Sequence, residues 1–114
     1  MRIELRPKTW ETKMPDRIGM MHDEQIAEAS RAMKAMSHPL RLKIVCLLGD
    51  QEVSVQDIVE RVGTSQSNIS QHLALMRGKG VLRTRRDANR VYYRLADLRM
   101  LEVIGMLRDT FCCF

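Results

Sequence analysis

Three sets of residues in this 114-residue chain could do chemistry: its three cysteines, a strip of arginines, and a cluster of Ser, Asn and Gln around position 68. Cys46 stands alone in an apolar stretch, whereas Cys112 and Cys113 are adjacent near the C-terminus. In a reducing compartment such cysteines tend to be catalytic, metal-binding or redox-sensing rather than structural staples. Alone on an apolar helix, Cys46 also reads as an internal residue that merely fills the core. The basic strip runs through Arg77, Lys79, Arg83, Arg85, Arg86, Arg90 and Arg94, opposed only by Asp87. It carries +6 in a chain of net charge +5, so the remainder is close to neutral. A phosphate backbone attracts such a strip, although charge alone fits a solvated surface equally well. The third set, Gln66, Ser67, Asn68, Ser70 and Gln71, consists of short, uncharged donor-acceptor side chains. Asn and Gln can pair with adenine edges, and Ser can serve base or phosphate. A helix face meant only for water would more usually carry Lys and Glu.

Elements to hold these residues follow from the apolar periodicity. Hydrophobic residues make up 45% and aromatics 4%, with nine Met, so the core must be aliphatic, which suits packed helices. Residues 1–22 mix charge with Pro7, Trp10 and Pro15 and predict a mobile arm; residues 23–114 predict a single domain. Ile26, Ala29, Met33 and Met36 predict a first helix from Asp23, broken at Ser37-His38-Pro39, with His38 as a turn or cap residue. A second helix is expected over Leu40–Leu48, ended by Gly49, and a third buries Val55, Ile58, Val59 and Val62 up to Gly63. The fourth, about Gln66–Lys79, turns Ile69, Leu73 and Met76 inward, with His72 packing beside that stripe. Strands over Val81–Arg86 and Arg90–Leu95 are joined by Asp87-Ala88-Asn89, and Asp97 caps a last helix to about Phe111.

Two helices broken at Gly63 and followed by a basic hairpin make a winged helix-turn-helix: mainly α with a small β-hairpin wing, an α+β class. The fourth helix would read base edges, while Arg83, Arg85, Arg86 and Arg90 would meet phosphates or a minor groove, only every second strand residue facing the DNA. The last helix offers Leu98, Leu101, Ile104 and Leu107, plus Met100, Val103 and Met106 towards a second side. Being apolar over more than one face, it needs a second subunit to cover it. No signal peptide or membrane span is evident, so a cytoplasmic protein is expected. An enzyme is disfavoured: the chain has no Cys-x-x-Cys, no nucleotide-binding glycine loop and no Ser/His/Asp set on a pocket-forming scaffold, and no cofactor is called for. A purely structural interaction protein would leave the polar face and the basic hairpin unexplained together.

Three motifs occur in order: Ala35-Met36-Ser37-His38-Pro39-Leu40-Arg41-Leu42, Ser65-Gln66-Ser67-Asn68-Ile69-Ser70-Gln71-His72-Leu73, and Arg90-Val91-Tyr92-Tyr93-Arg94-Leu95. Together they resemble the ArsR/SmtB family of bacterial repressors over about Asp23 to Phe111. The resemblance implies a homodimer with the first and last helices at its interface, around Ile26, Ala29 and Met33 and around Leu98, Leu101, Ile104 and Leu107. It also implies a double-stranded operator, an imperfect palindrome, that is blocked until an inducer releases the protein.

The metal-sensing branches of that family are defined by their ligands. The thiolate branch has a Glu-Leu-Cys-Val-Cys-Asp-Leu motif; here the matching stretch is Glu52-Val53-Ser54-Val55-Gln56-Asp57-Ile58, without either thiolate. The zinc and cobalt branch pairs an Asp-x-His with two later ligands. Here Asp97 is followed by Arg99, and the later positions fall near Thr110 and Cys113, so no metal site is expected. A further branch senses sulfide, persulfide or redox state through one Cys on the second helix and one late in the last. Similarity to it implies that Cys46 and Cys112 become linked when a reactive sulfur species or oxidant acts as inducer. Adjacent helical residues project about 100° apart, so Cys112 and Cys113 cannot both face Cys46. The extra Cys113 departs from that branch and leaves open an arsenite or other thiophilic-metal response through Cys46, Cys112 and Cys113.

Overall fold

Asp23, where the periodic apolar pattern begins, is also the first residue of helix α1 (Asp23–Met36) in the computed structural model, which describes residues 21–111. The arm expected over residues 1–22 therefore lies almost wholly outside the described residues, as do Cys112 and Cys113. The chain divides at Ser30 into two units, so the first turns of α1 belong to one and all later elements to the other. Asp23 and Glu24 occupy the first turn of α1 and Lys34 its last, matching the helix dipole. Gln25 reaches back to accept the His22 N–H at 2.9 Å, half of a capping box.

Helix α2 (Pro39–Leu48) starts on His38, whose backbone is extended and whose Nδ1 accepts the Leu40 N–H at 3.0 Å. Pro39 follows at the position where a missing N–H costs nothing. Gly49 ends the helix, as its sequence position led one to expect. A short strand β1 (Val53–Ser54) leads into α3 (Val55–Val62), and the buried Ser54 hydroxyl caps that helix by accepting the Asp57 N–H at 3.2 Å. Gly63, at φ 81°, closes α3 in the left-handed region, where a Cβ is strained.

Helix α4 (Gln66–Gly78) ends in a Schellman turn. Gly80, at φ 82°, donates to the Arg77 carbonyl at 3.0 Å, and Val81 donates to the Met76 carbonyl at 2.9 Å. Strands β2 (Leu82–Asp87) and β3 (Arg90–Leu95) pair antiparallel, and β1 adds to the other edge of β3, giving the order β1-β3-β2. Asp87 pairs with Arg90, so the hairpin loop is Ala88-Asn89, one residue shorter than the turn expected from sequence. Ala88 adopts φ 56°, the only non-glycine among the described residues with positive φ.

Helix α5 (Met100–Phe111) begins three residues after Asp97 rather than immediately behind it. Asp97 caps a tight turn instead: its Oδ1 accepts the Arg99 N–H at 2.9 Å, and its carbonyl accepts from Met100 at 3.0 Å. The core gathers Ile44, Val45 and Leu48 from α2, Ile58 from α3, Ile69, Leu73 and Met76 from α4, and Val53, Val81, Leu82, Tyr93 and Leu95 from the sheet region. Each fully buried aliphatic side chain contributes about 1.5–3 kcal/mol. This core fixes α4 against α2, α3 and β2 and leaves its opposite face in solvent.

Candidate nucleic-acid interface

The turn between α3 and α4 is locked by side chains. Ser65 caps α4 by accepting the Asn68 N–H at 3.2 Å, and the Asn68 amide donates to the Thr64 hydroxyl at 3.2 Å. Asn68 is thus half-buried and occupied within the turn, while Gln66, Ser67, Ser70 and Gln71 are exposed. Their spacing places these four on one face of α4, beyond the stripe of Ile69, Leu73 and Met76. Four of the five residues expected to read bases therefore share a free face, and the fifth holds the turn that presents them.

The hairpin sorts its cations by strand register. Leu82, Thr84, Tyr93 and Leu95 turn towards the core, and Arg83, Arg85, Tyr92 and Arg94 alternate to the outer face. Arg85 is engaged there. Its Nε donates to Glu52 at 3.0 and 3.1 Å, its Nη2 lies 2.9 Å from the same carboxylate, and its guanidinium sits 4.7 Å from the centre of the Tyr92 ring. The fork holds the Glu52 carboxyl below its ordinary value and raises the Arg85 guanidinium. Arg85 ties the wing to the segment ahead of β1. Arg83, Arg86 and Arg90 are exposed, with Arg86 and Arg90 flanking the hairpin tip. Arg94 is exposed directly opposite Arg83. Like charges paired across strands repel, and an anion between them removes the penalty. Arg94 belongs with the candidate DNA contacts although sequence reasoning left it out; the strand register is the signal that finds it.

Helices α2 and α5 border a groove of about 720 Å³. Leu42, Cys46, Leu101, Ile104, Gly105 and Phe111 are among the residues lining it. Cys46 is exposed, not internal as its apolar setting suggested. The buried face of α2 is formed by Ile44, Val45 and Leu48, and Cys46 points away from it into the groove. None of the residues of α5 is buried. Leu101 and Ile104 pack half-buried against their own core, whereas Leu98, Val103, Met106, Leu107 and Phe111 are exposed. On α1, Ile26, Ala29 and Met33 are exposed as well. Asp97 is forked to Arg99, the Oδ2–Nη2 distance being 2.7 Å, and this holds its carboxyl down at about 2.

Residues 38–84 match the family described as bacterial regulatory protein, arsR family. A biofilm growth-associated repressor of Xylella fastidiosa is 32% identical over 90 residues, covering 79% of each chain. The chain belongs to the ArsR family of bacterial regulatory proteins. Among solved structures of that family, HlyU of Vibrio cholerae matches with a TM-score of 0.72 at 37% identity, covering 80% of this chain and 99% of that one. As a sequence, HlyU is described as a transcriptional activator, and a second structure of it is described as reduced. Mb0332 of Mycobacterium bovis, described as a homodimeric winged helix-turn-helix DNA-binding domain, matches at 26% identity and TM-score 0.67. It covers 79% of this chain and 86% of that one. This ArsR-family chain is accordingly a transcriptional regulator with a winged helix-turn-helix fold, not an enzyme. Among its described residues, no helix is long and apolar enough to cross a membrane.

Proposed function

We propose that this ArsR-family protein is a cytoplasmic, homodimeric repressor that reads an imperfect palindrome in double-stranded DNA and is released by modification of Cys46 and Cys112. The observation that carries the DNA reading is the exposed, uncharged face of Gln66, Ser67, Ser70 and Gln71 on a helix whose other side is buried. Arg83, Arg90 and Arg94 supply phosphate contacts beside it, Arg86 extends from the opposite face near the hairpin tip, and Arg85 sets the wing that carries them. The exposed apolar residues of α1 and α5 supply the dimer contact, and two-fold symmetry then presents two recognition helices to successive major grooves. Support for the dimer comes from the uncovered α5 face and from the homodimeric relative Mb0332.

The sensor role rests on Cys46 being exposed in a groove that also reaches Phe111, the residue next to Cys112. With a polysulfide as inducer, one cysteine thiolate takes a sulfane sulfur, and the polysulfide leaves one sulfur shorter. The second thiolate then attacks the cysteine sulfur of that persulfide and displaces hydrosulfide, so the two electrons lost by the thiols leave with the sulfide products. A disulfide between Cys46 and Cys112 joins the DNA-reading unit to the dimer face and changes the spacing of the two recognition helices. Operator titrations with mass spectrometry, before and after polysulfide treatment, test this. Cys46→Ser and Cys112→Ser are each expected to bind operator normally and to resist release. Normal release of both, with loss of release in Cys113→Ser, contradicts the pairing. Release by arsenite alone replaces it with a site of three thiolates, Cys46, Cys112 and Cys113.

A further inference from the structure

Behind α4, on the side facing α2, lies a cluster that DNA reading does not use. Arg41 of α2 approaches His72 of α4, Nη1 to Nδ1 at 3.3 Å, and the His72 ring stacks at a tilt on His38, centroids 4.6 Å apart. The Arg41 Nε is buried without a hydrogen-bond partner. A guanidinium can only donate, so the His72 Nδ1 must present a lone pair, and the imidazole is neutral with its proton on Nε2. The His38 Nδ1 accepts the Leu40 N–H that caps α2. Among the described residues, the titratable groups that act on His72 are His38, the cap of α2, and Arg41 within α2; none from α3 or the sheet does so. Among the described residues, no carboxylate acts on His72 to neutralise a proton taken up there.

We propose that His72 is a positioning residue whose neutral Nδ1 seats the recognition helix on Arg41, and that proton uptake at this atom unseats α4 and weakens operator binding in acid. The proposal rests on α4 being the DNA-reading helix. A proton on Nδ1 replaces an N–H···N contact by two donors facing each other, in a site already holding one unsatisfied guanidinium nitrogen. Burial, and then the charges of His38 and Arg41, hold the His72 imidazole below its ordinary value of 6.5. The folded protein therefore takes up this proton less readily than the unfolded chain. The seat is intact above about pH 6.5 and is lost as pH falls from there through the lower folded value. The sign separates this mechanism from general electrostatics, since added positive charge on a DNA-binding protein otherwise strengthens phosphate attraction.

The test measures affinity for operator and for a random-sequence duplex from about pH 7.5 to about pH 5.5, in the wild type and in His72→Gln. The Gln amide oxygen accepts from Arg41 without titrating. Wild-type operator affinity is expected to fall in acid, by at most about tenfold per pH unit for one linked proton, while random-duplex binding holds or tightens. His72→Gln is expected to match the wild type near neutrality and to keep its operator affinity in acid. Wild-type operator affinity that holds or rises, or a His72→Gln profile parallel to the wild type, overturns the proposal. If the variant fails to fold, the ¹⁵N spectrum of the wild type decides: an unprotonated Nδ1 on His72 supports the seat, and an Nδ1–H tautomer overturns it. Absence of any operator preference near neutrality faults the DNA-reading role of α4 instead, and the ¹⁵N spectrum still tests the seat.

Discussion

Helices α4 and α5 differ by one residue in length, 13 against 12, and are finished to different degrees. Helix α4 buries Ile69, Leu73 and Met76 almost completely and has a side-chain cap at its start and a Schellman turn at its end. Helix α5 buries no residue fully and leaves Met106 at 72% exposure and Val103 at 48%. A helix whose apolar side is satisfied within its own chain is free to present a polar face to a ligand. One whose apolar side stays open is half of an interface. On the proposed reading, the polar face of α4 is presented by one subunit alone, while the open apolar face of α5 is covered by a second copy.

The largest expected effect comes from charging the unfinished helix. Met106→Glu should leave the subunit folded, because that side chain is already in solvent, but should shift sedimentation at micromolar concentration to a monomer. Operator affinity should then fall on the order of a hundredfold, as the two half-sites lose their linkage. A dimeric Met106→Glu places the interface elsewhere. On the finished helix, Leu73→Ala should cost about 2–5 kcal/mol in chemical denaturation. A smaller loss, about 1 kcal/mol, is expected for Ser65→Ala, which removes the cap of α4. The smallest effect concerns the turn before α5. Asp97 should titrate near 2 by carboxyl NMR, and Arg99→Ala should return it towards 3.8. The carboxylate is favoured in the folded state, so its contribution is present above about 3.8 and is lost as pH falls through about 2.

Where local chemistry decides the structure, the sequence was readable. Pro39, Gly49, Gly63 and Ser65 mark helix boundaries through their own backbone or hydroxyl preferences, and the apolar spacing of α4 placed Ile69, Leu73 and Met76 correctly in the core. The exposure of Gln66, Ser67, Ser70 and Gln71 followed from the same periodicity. What was not readable depends on partners distant in sequence. Arg85 looks like its neighbours until Glu52 is brought within 3 Å of it, and Arg94 gains its significance only from lying opposite Arg83. Asn68 lies among polar residues that face solvent, yet its amide turns back to Thr64. Cys46 was misjudged because an apolar helix does not reveal which of its faces a later helix leaves open. Arg41, His38 and His72 are brought together by the packing of α2 on α4, which no periodicity announces.

The most direct measurement compares the binding of Gln66→Ala and Ser70→Ala to operator and to random-sequence duplex at one fixed salt concentration. If the exposed face of α4 reads bases, each substitution should cost about 1–3 kcal/mol on the operator and little on random DNA. Equal losses on both duplexes would contradict a recognition role for this face and reduce it to one more phosphate contact.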